Sequence, residues 1–145
     1  MRRTLALVVA GAVLALPATA AATIRPQHGM SGIVLGMTKA QVQAKLGRPV
    51  GQGGGRWYYA RVWVGFRNGR VTEISTTRST ERLANGLGVD SSEAQVRRAF
   101  PRAVCAPWSV YRRCRFGSGA PGTRATDFII GRGRVLQITI SLLPG

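Results

Sequence analysis

The sequence predicts an α+β domain: two tandem helix-plus-antiparallel-hairpin repeats that form one curved antiparallel sheet with short helices on one face. Three observations carry this. Thr38-Lys39-Ala40-Gln41-Val42 and Ser92-Glu93-Ala94-Gln95-Val96 align at an offset of 54 residues. Phe66-Arg67-Asn68-Gly69-Arg70-Val71 and Ile130-Gly131-Arg132-Gly133-Arg134-Val135 align at an offset of 64. Self-similarity at a fixed spacing is the mark of repeated supersecondary units. Helices of about ten residues are unstable alone in water, so these must lie on a sheet.

The first twenty residues read as a signal peptide. Arg2 and Arg3 form a basic start, Leu5 to Leu16 is an unbroken apolar stretch, and Pro17 precedes an Ala18-Thr19-Ala20 cleavage pattern. Twelve apolar residues rise about 18 Å as a helix, short of a hydrocarbon core of roughly 30 Å, so no membrane span is expected in the mature chain. The expected location is secreted: extracellular, periplasmic or in the cell envelope. Residues 21–31, with the single histidine His28, read as a loose N-terminal arm. The first repeat is placed at 32–76, a connector at 77–86 and the second repeat at 87–143, giving one globular domain over 32–143.

In each repeat the helix start fits a capping box, with Thr38 and Gln41 in one and Ser92 and Gln95 in the other. Val42/Leu46 and Val96/Phe100 supply i, i+4 apolar pairs. Gly47-Arg48-Pro49 ends the first helix and Pro101 the second. Asn68-Gly69 is a strong hairpin signal, and Arg132-Gly133 takes the same place in the second half. Trp57-Tyr58-Tyr59 reads as another strand or the start of a long one. Ser109 to Phe116 is its counterpart, with Cys105 and Cys114 nearby. In an exported chain these two cysteines are expected as a disulfide.

Charge narrows the function. The chain carries 21 Lys and Arg against 5 Asp and Glu, a net charge of +16. Removing Arg2 and Arg3 leaves 19 cations against the same five acids, or +14. Such a surface attracts anions, but export removes nucleic acid as the expected partner. Catalysis finds little to work with. His28 lies on the expected arm, and Asp90 and Glu93 are explained by the start of the second helix. Gly53-Gly54-Gly55 lacks the Lys and the helix of a phosphate loop. No cofactor, no metal site and no enzymatic activity are expected.

What remains is a surface that interleaves rings with cations. Trp57, Tyr59, Arg61 and Trp63 share one face of a continuous strand, with Tyr58 on the other. The second half supplies Trp108, Tyr111, Arg112 and Arg113. Trp57, Tyr59, Arg61, Trp63, Tyr111, Arg112 and Arg113 are the candidate binding surface, a composition enriched at binding hot spots. Turn length decides which sheet face points inward, and a one-residue slip exchanges the faces.

Ile33-Val34-Leu35-Gly36-Met37-Thr38, Val42, Leu46-Gly47-Arg48-Pro49, the Gly-rich gap and the Phe-x-Asn-Gly-Arg-Val hairpin resemble the SmpA/OmlA (BamE-like) and β-lactamase-inhibitor-protein-like superfamily. The resemblance covers about residues 33 to 76, and more loosely 86 to 140. It implies helices over an antiparallel sheet and a non-enzymatic role as an envelope protein or secreted binder. This chain lacks a lipid-attachment cysteine, and only its second half has cysteines. The expected function is a secreted binding module that engages a protein or envelope partner through an aromatic and arginine sheet face. The alternatives are a cationic structural protein adhering to anionic envelope polymer, a protease or hydrolase inhibitor, and an envelope-assembly factor.

Overall fold

In the computed structural model, residues 23–145 are described, and the segment read as a signal peptide lies outside them. The fold is α+β and mainly antiparallel sheet. Three short strands open it: β1 (Ile24–Arg25), β2 (Gly29–Met30) and β3 (Ile33–Val34). Helix α1 (Lys39–Leu46) leads into β4 (Gly51–Gly53), β5 (Arg56–Tyr59), β6 (Val62–Arg67) and β7 (Arg70–Thr76). Helix α2 (Glu93–Ala99) leads into β8 (Val104–Trp108), β9 (Tyr111–Gly117), β10 (Arg124–Gly131) and β11 (Arg134–Leu142). One eight-stranded sheet takes the order β4-β5-β6-β7-β11-β10-β9-β8, so the final strands of the two meanders pair at its centre.

Local chemistry sets both helix starts. The Gln41 N–H donates to Thr38 Oγ1 at 3.2 Å and the Thr38 N–H to Gln41 Oε1 at 2.9 Å. In α2 the Gln95 N–H donates to Ser92 Oγ at 3.1 Å and the Ser92 N–H to Gln95 Oε1 at 2.7 Å. These caps satisfy N–H groups that a helix start leaves free. Each helix places one fully buried valine, Val42 or Val96, on the sheet. Phe100, capping α2, stacks against Phe116 and Phe128 with ring centroids 4.6 and 5.4 Å away.

Cross-strand pairing fixes the two faces of the sheet. Directly opposed residues share a face, so the rows through Trp57, Val64 and Ile74, and through Val62, Thr76, Ile138, Phe128 and Cys114, lie against the helices. Val62, Val64, Ile74, Phe128, Ile138 and Ile140 are buried there in one apolar cluster. The other face, called the open face below, has no helix over it among the described residues.

The hairpin turns need left-handed backbone. Asn68 and Gly69 have φ of 51° and 72°, and Arg132 and Gly133 have 52° and 76°. Each hairpin carries a register shift just before its turn, at Gly65/Phe66 and at Ile129/Ile130.

Of the segment 21–31 expected as a loose arm, residues 23–31 are packed. Of those described, Ile24 and Met30 are each 1% exposed and join the core. The Thr23 and Ile24 N–H groups donate to the Arg82 carbonyl at 3.0 Å, which ties the segment to the connector. His28 accordingly sits half-buried in the turn between β1 and β2, where its N–H donates to the Arg25 carbonyl at 3.1 Å. The connector is packed as well: Leu83 is buried, and Glu81 is buried with its Oε1 bonded to the Ser31 hydroxyl.

Candidate functional site

The candidate surface read from the sequence divides between the two faces, because Tyr59 and Val62 pair across a two-residue turn at Ala60-Arg61. That turn inverts the alternation. Trp57 and Tyr59 point to the helices. Trp57 meets Phe66 edge-on at 4.9 Å, with Lys39 Nζ 5.7 Å from its ring. The Tyr59 hydroxyl donates to the Gly47 carbonyl at the end of α1, 3.1 Å away, and burial raises its pKa above the ordinary tyrosine value. Arg61 sits in the turn itself, at φ 61°, and its carbonyl accepts from the Thr77 N–H. Trp63, paired with Tyr58, lies on the open face. Neither Ala60 nor Arg61 is a usual turn residue, so composition gives no warning of the reversal.

The second half divides by simple alternation. Tyr111 and Arg113 stand on the open face, while Arg112 lies on the helix side and reaches Glu93 of α2 at 3.1 Å. Arg97 also donates to Glu93, at 2.8 Å. The Arg112 and Arg97 hydrogen bonds lower the pKa of this carboxyl. Trp108, opposite Tyr111, shares the open face, where Arg113 lies 5.8 Å from its ring.

Over this face lies a cavity of about 490 Å³. Trp63 and Trp108 both line it, although β6 and β8 stand five positions apart in the sheet. Its charged residues are Arg56, Arg67, Arg113, Arg115, Glu73 and Asp127. Both acids are taken up by arginine: Arg56 Nε meets Glu73 at 3.1 Å, and Arg115 Nη2 meets Asp127 at 2.6 Å. The Glu73 and Asp127 hydrogen bonds raise the pKa of Arg56 and Arg115. Among the described residues Arg67 and Arg113 have no carboxylate partner. Gly65 lies between Arg56 and Glu73, and a Cβ there would stand 3.0 Å from Glu73 Cβ.

Arg56, Arg67, Arg115, Glu73 and Asp127 were not selectable as a group from sequence. They come from five strands, and only register sets them side by side. The period-two run Tyr111, Arg113, Arg115 on β9 is the one local signal.

Cys105 and Cys114 are joined, directly opposite one another on β8 and β9. The Glu93 carboxylate lies within 4.8 Å of both sulfurs. With the sulfurs bonded to each other and Glu93 held by two arginines, this cluster has no thiolate to offer a metal. Among the described residues no helix is long and apolar enough to cross a membrane.

No family model matches the sequence, and no curated protein matches it. Two solved structures share the fold. One is a DUF4309 family protein (YjgB) from Bacillus subtilis: TM-score 0.54, 15% identity, with 78% of this chain and 84% of that one covered. The other is an extracellular protein containing a SCP domain from Bacillus anthracis, with TM-score 0.52 and 9% identity. That match covers 92% of this chain and 50% of the other, so this chain spans about half its length. At these identities the likeness concerns the fold alone, and neither structure bears the name of the family the sequence resembles.

Proposed function

We propose that the protein is a secreted, non-enzymatic binding module that engages a protein or envelope partner through the open face of its sheet. The observation that carries this reading is the cavity, where Trp63 and Trp108 flank two arginines without carboxylate partners. Aromatic rings and arginine dominate binding hot spots because they bring large contact area with a polar or charged end. A disulfide suits an oxidising compartment, and one structural neighbour is itself extracellular.

The module consists of two tandem repeats that form one curved sheet, in the manner of the SmpA/OmlA and β-lactamase-inhibitor-protein-like superfamily. Matching caps, hairpin turns and register shifts support the repeat. So does the centre of the sheet, where Ser75 pairs with Thr139 at the same offset of 64 that relates the hairpins. A shared cavity for Trp63 and Trp108 supports curvature.

The test is retention of envelope components on the immobilised mature protein at low and high salt, with a Trp63→Ala/Trp108→Ala variant beside it. Retention that survives salt and is lost in the variant supports docking on the open face. Retention at neither salt overturns the reading. A second reading, electrostatic adhesion to anionic envelope polymer, draws on the excess of 19 cations over five acids in the mature chain. It requires retention that disappears at high salt and ignores the tryptophans.

A further inference from the structure

We propose that the open-face cavity is a site for a carboxylate-bearing saccharide chain, an inference that rests on reading this face as the binding surface. Charge is the first argument. Glu73 and Asp127 are neutralised by Arg56 and Arg115, which leaves Arg67 and Arg113 as two guanidinium groups in excess. A planar guanidinium matches a carboxylate by two parallel hydrogen bonds.

The floor is the second argument. Short polar side chains, Thr72, Ser75, Gln137, Thr139 and Ser141, line the cavity between the arginines. Ser75 Oγ and Thr139 Oγ1 stand 2.8 Å apart, and Gln137 Nε2 donates to Thr139 at 2.9 Å. Hydroxyl and amide groups that both donate and accept suit a ligand rich in hydroxyls.

The third argument is extent. Five strand spacings of about 4.8 Å separate the backbones of Trp63 and Trp108 by roughly 24 Å along the sheet. Two rings carried five strands apart on one cavity suit an extended chain, with the C–H face of a sugar against the negative face of each indole. An acidic peptide fits less well. β6, β7, β11, β10 and β9 are each paired on both sides, so a peptide lying over them finds no backbone edge to join; of the strands that line the cavity only β8, which carries Trp108, is an edge strand.

The experiment titrates the mature protein with a six-sugar oligogalacturonide and follows tryptophan fluorescence and heat. Maltohexaose and hexaglutamate are titrated in parallel. The expected result is saturable binding of the acidic saccharide, at least about tenfold tighter than either control. Trp63→Phe should retain part of this affinity, whereas Trp108→Ala, at an exposed ring, and Arg113→Gln, at a half-buried residue with no carboxylate partner among the described residues, should each weaken it about tenfold. Three results overturn the proposal: no binding of the oligogalacturonide, hexaglutamate binding as tightly, or affinity unchanged in Trp108→Ala and Arg113→Gln. If the saccharide fails while envelope retention stays tryptophan-dependent, this inference falls and the binding module stands. Loss of both removes the two together.

Discussion

Arg115 and Asp127 face each other across β9 and β10 with two parallel hydrogen bonds, Nε to Oδ1 at 2.7 Å and Nη2 to Oδ2 at 2.6 Å. Asp127 is only 7% exposed. The pair fixes one guanidinium on the open face, next to Arg113, which has no carboxylate partner among the described residues and lies over the Trp108 ring. Asp127→Asn should remove the charge that holds Arg115, at a cost of about 1.5 to 3 kcal/mol for charge-assisted hydrogen bonds. Urea unfolding checks this. A midpoint equal to the native protein's would show that the pair contributes nothing to stability.

Closing the loop from Cys105 to Cys114, nine residues apart, restricts the unfolded chain. Chain-entropy arithmetic gives about 2.5 to 3 kcal/mol for a loop this short. A Cys105→Ser/Cys114→Ser variant should lose about that much, and reductant should lower the thermal midpoint of the native protein but not of the variant. Two free thiols in the protein purified without reductant, detected by mass, would contradict the bridge.

Arg132 takes φ 52° where the first hairpin has Asn68 at 51°. Asparagine tolerates this left-handed conformation better than arginine does. Arg132→Asn is therefore expected to stabilise the protein by about 0.5 kcal/mol. A lower thermal midpoint would mean that Arg132 makes a contribution its backbone strain conceals.

Glu93 accepts from Arg112 and Arg97, which hold its pKa below the ordinary value. The folded protein thus binds this proton more weakly than the unfolded chain does. Stability from the cluster is complete above the ordinary carboxylate range and is lost as pH falls through the depressed folded value. Glu93→Gln should lose stability at pH 7 and show a flatter acid limb. Unfolding midpoints measured between pH 7 and pH 3 decide it: parallel curves for the two proteins would exclude the linkage.

Each helix cap is an opposition of Ser or Thr with Gln three residues on, and each hairpin turn centres on two residues at positive φ. Such signals are legible because the hydrogen bonds close within a few residues, and the same holds for the disulfide, given two cysteines in a chain whose start reads as a signal peptide. The N-terminal strands were not legible. Ile24 and Met30 are isolated apolar residues: Ile24 is tied by its N–H to the Arg82 carbonyl, over fifty residues away, and Met30 is held by pairing with Ile24 and Ile33.

The sequence by itself determined a mixed α+β chain with capped short helices, antiparallel hairpins, a strong cationic excess and one pair of cysteines. Tertiary structure alone decided which rings and cations meet. A two-residue turn at Ala60-Arg61 sent Trp57 and Tyr59 to the core and Trp63 to the open face. Register then brought Trp63, Trp108, Arg67 and Arg113 to one cavity. Alternation has period two, so every assignment of a face depends on the parity of a turn, and that parity is settled by the pairing of whole strands rather than by any residue in the turn.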